Sequence, residues 1–160
     1  MILGFSGTRK GMTPAQRAAL PSVLAALPER VLHGGAVGSD TEFDEWIAPI
    51  IANSQTAFIE IYPATDERRV YWGNHDRGFP GCRGIIVKAV ACSDHFESRP
   101  WPPLERNRII AERCDALLAC PSEPTEQLRS GTWATVRYAR KAGKPVTFVM
   151  PSGEVVEERR

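Results

Sequence analysis

The sequence predicts an α/β fold on a mostly parallel sheet, broken by one long irregular insertion. Two observations predict the sheet: short apolar runs of strand length alternate with stretches of helical periodicity, and glycine-containing turns follow the apolar runs or open the helices. A third predicts the insertion: between Ala64 and Pro103 the alternation gives way to a stretch rich in Gly, Pro, Trp and His. At 160 residues the chain can bury one real core but not two, so residues 1–153 are expected to form a single domain and 154–160 a flexible tail.

Taken in order, Ile2-Leu3-Gly4-Phe5 reads as a first strand running into Ser6-Gly7-Thr8-Arg9. Thr13 and Gln16 stand at capping-box spacing with Pro14 between them, which starts a helix whose expected core stripe is Ala15, Ala18, Ala19, Val23 and Ala26. Pro21 is expected to kink or split it. A second strand, Arg30–His33, leads into Gly34-Gly35-Ala36-Val37-Gly38-Ser39-Asp40. The following helix carries Phe43, Ile47, Ile50 and Ile51 at helical spacing, with Asp40 on the same side and Pro49 as another kink point. Ala57–Tyr62 reads as a third strand. Within the insertion, only Ile85-Ile86-Val87 has strand character. A helix from Leu104 to Arg113, a strand Ala116–Ala119, a helix opened by Ser130-Gly131-Thr132 and a last strand Val146–Val149 complete the pattern.

Composition excludes several classes. A hydrophobic fraction of 42% with 24% charged residues is that of an ordinary globular protein. The net charge of +1 lacks the footprint of a duplex-binding protein. No apolar run approaches the roughly 20 residues that span a bilayer, and the N-terminal stretch has no signal-peptide pattern, so a soluble cytoplasmic protein is expected, with no membrane partner. Cys82, Cys92, Cys114 and Cys120 include no CxxC pair, and reduced, mostly buried thiols follow. His75, Cys82, Cys92 and His95 fall together in the insertion without a recognised ligand spacing; they are read as scattered core cysteines and surface histidines, and no metal site is assigned.

Three glycine-containing turns carry the candidate chemistry: Gly4-Phe5-Ser6-Gly7-Thr8-Arg9, His33-Gly34-Gly35-Ala36-Val37-Gly38, and Ser130-Gly131-Thr132. In a parallel sheet they converge at the carboxyl ends of the strands, where glycine lets backbone N–H groups approach a phosphate. The pattern is neither GxGxxG nor GxxxxGK[ST], so neither the usual dinucleotide fingerprint nor a P-loop is indicated. Ser130-Gly131-Thr132 fits either a plain helix cap or an anion site. Arg106 offers a bidentate grip on phosphate or a surface ion pair with Glu105 or Asp115. Asn107 shares a face with Ile110, Ala111 and Cys114, so its amide points toward the sheet, toward a ligand or a strand end. Trp133, Val136 and Tyr138 are read as packing residues.

The set "SGTR", "HGGAVGSD", "RNRIIAERCDALLACP" and "RSGTWATVRYARKAGKPV" resembles the SLOG superfamily, a Rossmann-like group that includes DNA-processing protein A and the Lonely-guy phosphoribohydrolases. The resemblance covers most of the chain outside the insertion. It implies a Rossmann-like three-layer sandwich with a pocket for a nucleotide or nucleotide-derived ligand, a nucleoside monophosphate or an ADP-ribose-like molecule, at the carboxyl edge of the sheet. The binding set would be Ser6, Gly7, Thr8, Arg9, Gly34, Gly35, Gly38, Asp40, Arg106, Asn107, Ser130, Gly131 and Thr132. In that set backbone N–H groups of Gly7, Thr8, Gly35, Gly131 and Thr132 hold phosphate, Arg9 and Arg106 add charge, and Asp40 accepts a ribose hydroxyl.

Arg106 matches the arginine of the hydrolases, with Asn107 in place of their lysine, but Thr135 stands where they carry a glutamate. An N-glycosidase acting on the same ligand would need another carboxylate near the anomeric carbon, for which Asp40 and Glu42 stand in the glycine turn, and with Arg106 they are the catalytic candidates. A further alternative, allowed by the similarity to DNA-processing protein A, is single-stranded nucleic-acid binding through the basic and aromatic residues of the insertion, Arg68, Arg69, Tyr71, Trp72, Arg77, Arg83, Arg99 and Trp101. Acidic residues in the same stretch, Asp66, Glu67, Asp76, Asp94 and Glu97, leave it a small excess of positive charge. Related folds often assemble as homodimers, yet no heptad or long apolar edge fixes a stoichiometry. No cofactor beyond the nucleotide-type ligand is indicated.

Overall fold

The computed structural model of the chain describes residues 1–24, 26–52, 57–62, 87–89 and 101–158. They form an α/β fold with seven strands: β1 (Ile2–Gly7), β2 (Arg30–His33), β3 (Phe58–Ile61), β4 (Val87–Ala89), β5 (Ala116–Cys120), β6 (Val146–Val149) and β7 (Val155–Glu158). The helices are α1 (Pro14–Val23), α2 (Ser39–Ala52), α3 (Pro103–Arg113) and α4 (Gly131–Lys141). Strand order across the sheet is β4-β3-β2-β1-β5-β6-β7, and every neighbouring pair is parallel except β6 with β7. This architecture is compatible with a Rossmann-like sandwich.

Two apolar clusters explain why the sheet is covered on both faces. Leu3, Phe5, Val31, Ile59 and Leu118 turn one way and pack with Leu20 of α1 and Phe43, Ile47 and Ile51 of α2. Leu32, Leu117, Ala119 and Phe148 turn the other way, against Ile110 and Ala111 of α3 and Trp133, Val136 and Ala139 of α4. Alternation along each strand sends successive side chains to opposite faces, so near-continuous apolar runs are what a doubly covered parallel sheet requires. Phe5 stacks on Phe43 with ring centroids 4.0 Å apart, locking β1 to α2.

Strand order reverses direction at β1. The chain leaves β1 toward β2 and β3 on one side, and β5 lies on the other, followed by β6. The carboxyl ends of β1 and β5 therefore diverge into a crevice, the position where open α/β sheets take ligands.

Several elements differ from the sequence-based expectation. β1 extends through Ser6 and Gly7, which pair with Ala119 and Cys120 and so belong to the sheet rather than to a turn. The capping box of α1 is present, with the Gln16 N–H donating to Thr13 Oγ1 at 3.0 Å and the Thr13 N–H to Gln16 Oε1 at 2.9 Å. Ala19 and Val23 of the expected stripe pack against the core, but the fully buried positions of α1 are Gln16 and Leu20, and Ala18 and Ala26 are exposed. Gln16 Nε2 donates to the carbonyls of Pro121 and Val149, and these two bonds turn the helix onto the ends of β5 and β6. Neither Pro21 nor Pro49 splits its helix. Ile50 is 40% exposed, outside the buried stripe of α2.

The strand expected at Ile85–Val87 is found as Val87–Ala89; Ile85 and Ile86 lie outside the described residues. α3 begins at Pro103, inside the end of the expected irregular stretch. Of the segment 154–160, expected as a flexible tail, Val155–Glu158 form β7, antiparallel to β6, with Arg140 Nη2 on α4 holding Glu158 at 2.9 Å; residues 159–160 lie outside the described residues. Among the described residues, no helix is long and apolar enough to cross a membrane. The free thiols of Cys114 and Cys120 are buried, and burial pushes them up to about 11 and about 12, which keeps both protonated and unreactive.

Candidate functional site

A cavity of about 940 Å³ occupies the crevice above β1 and β5. Its wall takes Ser6, Gly7, Thr8 and Arg9 from the end of β1, Gly34, Ala36 and Asp40 from the turn after β2, Arg106 and Asn107 from α3, and Ser122 with the run from Glu126 to Thr132 from the segment joining β5 to α4. All three glycine turns thus reach one cavity, but they do different work.

The opening of α4 is both cap and free donor. Ser130 Oγ accepts the Trp133 N–H at 3.3 Å, which satisfies one of the first-turn amides. The N–H groups of Gly131 and Thr132 hold no partner among the described residues, and both residues line the cavity. The positive end of an eleven-residue helix therefore faces the cavity with two open donors.

The turn after β2 behaves otherwise. Its amides are spent within the turn: Gly34 N–H and Ala36 N–H donate to Asp40 Oδ2 at 3.1 and 3.2 Å, and Gly35 N–H donates to His33 Nδ1 at 3.1 Å. Gly35 and Gly38, expected as binding residues, are absent from the cavity wall. Gly35 cannot offer phosphate an N–H already given to His33. Gly38 has φ +110°, and a Cβ there would stand 2.5 Å from the Arg9 carbonyl, so its role is to let the turn lie against the β1 loop. Asp40 lines the cavity, with one carboxylate oxygen occupied in bracing the turn.

His33 opens this turn, and the sequence assigned its side chain no role. It is fully buried at the end of β2; because Nδ1 accepts from Gly35, the ring proton sits on Nε2, which faces Asp44 Oδ1 at 3.5 Å. The histidine thus ties the glycine turn to α2. A histidine at a strand end with an aspartate near the start of the next helix was the only sequence signal for this tie.

Arg106 is only 6% exposed, which removes the surface ion pair from consideration. Its guanidinium lies on Gly34, where a Cβ would fall 1.3 Å from Nη1, so glycine at 34 is what admits the arginine. Nη1 donates to the Tyr62 carbonyl at 3.3 Å, and Nε is buried without a partner among the described residues. Burial pulls the guanidinium down from its ordinary value, Asp40 opposes that shift, and Arg9 adds to it. Asn107 Nδ2 donates to the Gly131 carbonyl at 3.1 Å, which fixes α3 against the opening of α4 rather than against a strand end.

Glu42 leaves the candidate list. It is absent from the cavity wall, accepting the Met12 N–H and pairing with Arg17 Nη1 at 3.0 Å across the β1–α1 loop. Thr135 is buried at the cavity base. The Ser6 hydroxyl donates to Thr135 Oγ1 at 3.1 Å, and Thr135 in turn donates to the Gly131 carbonyl at 3.0 Å. A hydroxyl chain holds the place, and no carboxylate stands there. Glu126, the other cavity carboxylate beside Asp40, is bound by Arg137 at 3.1 Å and Arg140 at 2.8 Å, which hold it below the usual carboxylate range.

No protein-family model and no curated protein matches this chain.

The rim of the cavity is apolar in part, with Leu104 56% and Leu128 86% exposed. Sequence reasoning missed both leucines, together with Arg129, which directly precedes the Ser-Gly-Thr cap. Trp133, Val136 and Tyr138 pack in the cluster beneath α4, as read from the sequence. His75, Cys82, Cys92, His95 and the basic and aromatic residues from Arg68 to Arg99 lie outside the described residues; Trp101 is described and packs on Tyr62 with centroids 5.9 Å apart. Among the described residues, no cluster of three or more metal-ligating side chains occurs.

Proposed function

We propose that the chain binds a nucleotide or nucleotide-derived ligand in this cavity, its phosphate seated at the opening of α4. The observation that carries the reading is the meeting of the free Gly131 and Thr132 amides with a buried Arg106 whose Nε has no described partner. A buried cation with no carboxylate in ion-pair contact among the described residues is costly in an empty protein, Asp40 offsetting only part of the burial effect, and an entering anion compensates it. Gly7, Thr8 and Arg9 approach the same space from β1, and the exposed Leu104 and Leu128 offer apolar surface to a base or sugar. The SLOG-like motifs of the sequence support the same ligand class.

Binding without turnover is the form of this reading that the side chains favour. An N-glycosidase of the Lonely-guy kind requires a carboxylate at the position of Thr135, and both cavity carboxylates hold other partners. Asp40 braces the glycine turn through Oδ2, and Glu126 neutralises two arginines of α4.

Gly131→Val tests the site without threatening the fold, because a Cβ at 131 meets only Asn107 Nδ2, at 3.7 Å. In thermal-shift titrations, AMP and ADP-ribose are expected to raise the melting temperature of the natural protein, since a ligand selective for the native state stabilises it by mass action. The valine variant is expected to melt normally and to lose that rise. An undiminished rise in the variant would remove the α4 opening from the site, and release of free base from AMP would replace binding with hydrolysis.

A further inference from the structure

The described arginines divide sharply by their partners. Arg17, Arg30, Arg108, Arg137 and Arg140 each pair with a carboxylate, and Arg113 donates to the Tyr62 hydroxyl. Arg9, Arg106 and Arg129 have no side-chain partner among the described residues, and all three lie on the cavity wall. They come from three separate elements: Arg9 follows β1, Arg106 belongs to the first turn of α3, and Arg129 immediately precedes the cap of α4.

The carboxylates of the cavity are committed elsewhere, Asp40 Oδ2 to two backbone amides and Glu126 to Arg137 and Arg140. Arg9 also stands near enough to Arg106 for its charge to disfavour the Arg106 cation, beyond the larger effect of burial. Asp40 favours the Arg106 cation more than Arg9 disfavours it, yet neither outweighs burial, which leaves the cavity wall short of negative charge beside its three arginines.

The three guanidiniums stand at two depths of the cavity, and the Gly131 and Thr132 amides with one bidentate arginine make a seat for an inner phosphate. Arg106 is the buried partner for that inner group, whereas Arg9 and Arg129 are exposed at the mouth. Resting on the nucleotide reading above, we propose that the ligand carries two linked phosphates, the inner one held by the α4 opening and Arg106, the outer one by Arg9 and Arg129. The ligand class is a nucleoside diphosphate or a pyrophosphate-bridged derivative such as ADP-ribose.

Isothermal titration of the full chain with AMP, ADP, ADP-ribose and inorganic pyrophosphate tests this, repeated on the double variant Arg9→Gln/Arg129→Gln. Both side chains are exposed and unpaired among the described residues, so the variant is expected to fold. ADP and ADP-ribose are expected to bind at least about tenfold more tightly than AMP, the return on one added set of charge-assisted bonds. In the double variant that preference is expected to vanish, the ratio of ADP to AMP affinity falling to within about twofold of one. Competition of pyrophosphate with ADP supports the paired-phosphate seat. Equal affinity for AMP and ADP in the natural protein overturns the second phosphate and leaves nucleotide binding standing; failure of all four probes to bind overturns both readings.

Discussion

Gly38→Ala is expected to destabilise the protein by about 3–5 kcal/mol, the combined cost of a strained backbone and a forced steric contact. At φ +110° an L side chain is disfavoured whatever space surrounds it, and here the space is absent. The Cβ would stand 2.5 Å from the Arg9 carbonyl oxygen and 2.8 Å from its Cα, and backbone cannot swing aside as a side chain can. The Ser39 N–H, next in sequence, donates to the Thr8 carbonyl at 3.0 Å, so the contact with the β1 loop is tied on both sides. Thermal melts should show a drop on the order of 10 °C. A loss below about 1 kcal/mol would mean that the turn relaxes freely, and the close seating of α2 on β1 would not be what holds it.

Arg106→Met separates binding from stability in the opposite direction. The natural side chain is buried, pulled down from its ordinary value by desolvation, and rewarded by a single long bond to the Tyr62 carbonyl. An apolar side chain of similar length removes a buried charge that Asp40 compensates only in part, so the empty protein is expected to melt at the same temperature or slightly higher. Affinity for a phosphate-bearing nucleotide is expected to fall by about a hundredfold, because charge-assisted bonds of about 3 kcal/mol in total are lost. A lower melting temperature with unchanged affinity would make Arg106 a structural brace between α3 and β3.

Much of this architecture was legible in the residues because the relevant physics is local. The capping box of Thr13 and Gln16, the apolar runs of β2 and β6, and the Ser130 cap all depend on neighbours within a few positions. What escaped depends on partners distant in the chain. Alanines gave α1 a plausible stripe, but Gln16 is buried by carbonyls more than a hundred residues away. The charged β7 segment is ordered by pairing with β6 and by Arg140, neither of which the pattern of residues 154–158 announces.

The candidate site shows the same division. Glycines at 34, 35 and 38 were read as letting the backbone approach a ligand, whereas Gly34 lies against Arg106 and Gly38 against the Arg9 backbone. They did not reveal that Asp40 and His33 would consume the amides of the turn, or that Gly34 makes room for the Arg106 guanidinium. Arg106 and Asn107 were visible as a pair at a helix start. That one faces the cavity and the other clamps α4 follows only from the packing of α3 beside α4.

Amide-resolved NMR titration of the isotopically labelled chain with ADP tests the proposed seating of a nucleotide phosphate on the opening of α4, in the crevice above β1 and β5. The amides of Thr8, Arg9, Gly131 and Thr132 are expected to shift together and saturate at one dissociation constant, while Gly35, already bonded to His33, moves little. Shifts confined to residues 64–100, or none at saturating nucleotide, would contradict it.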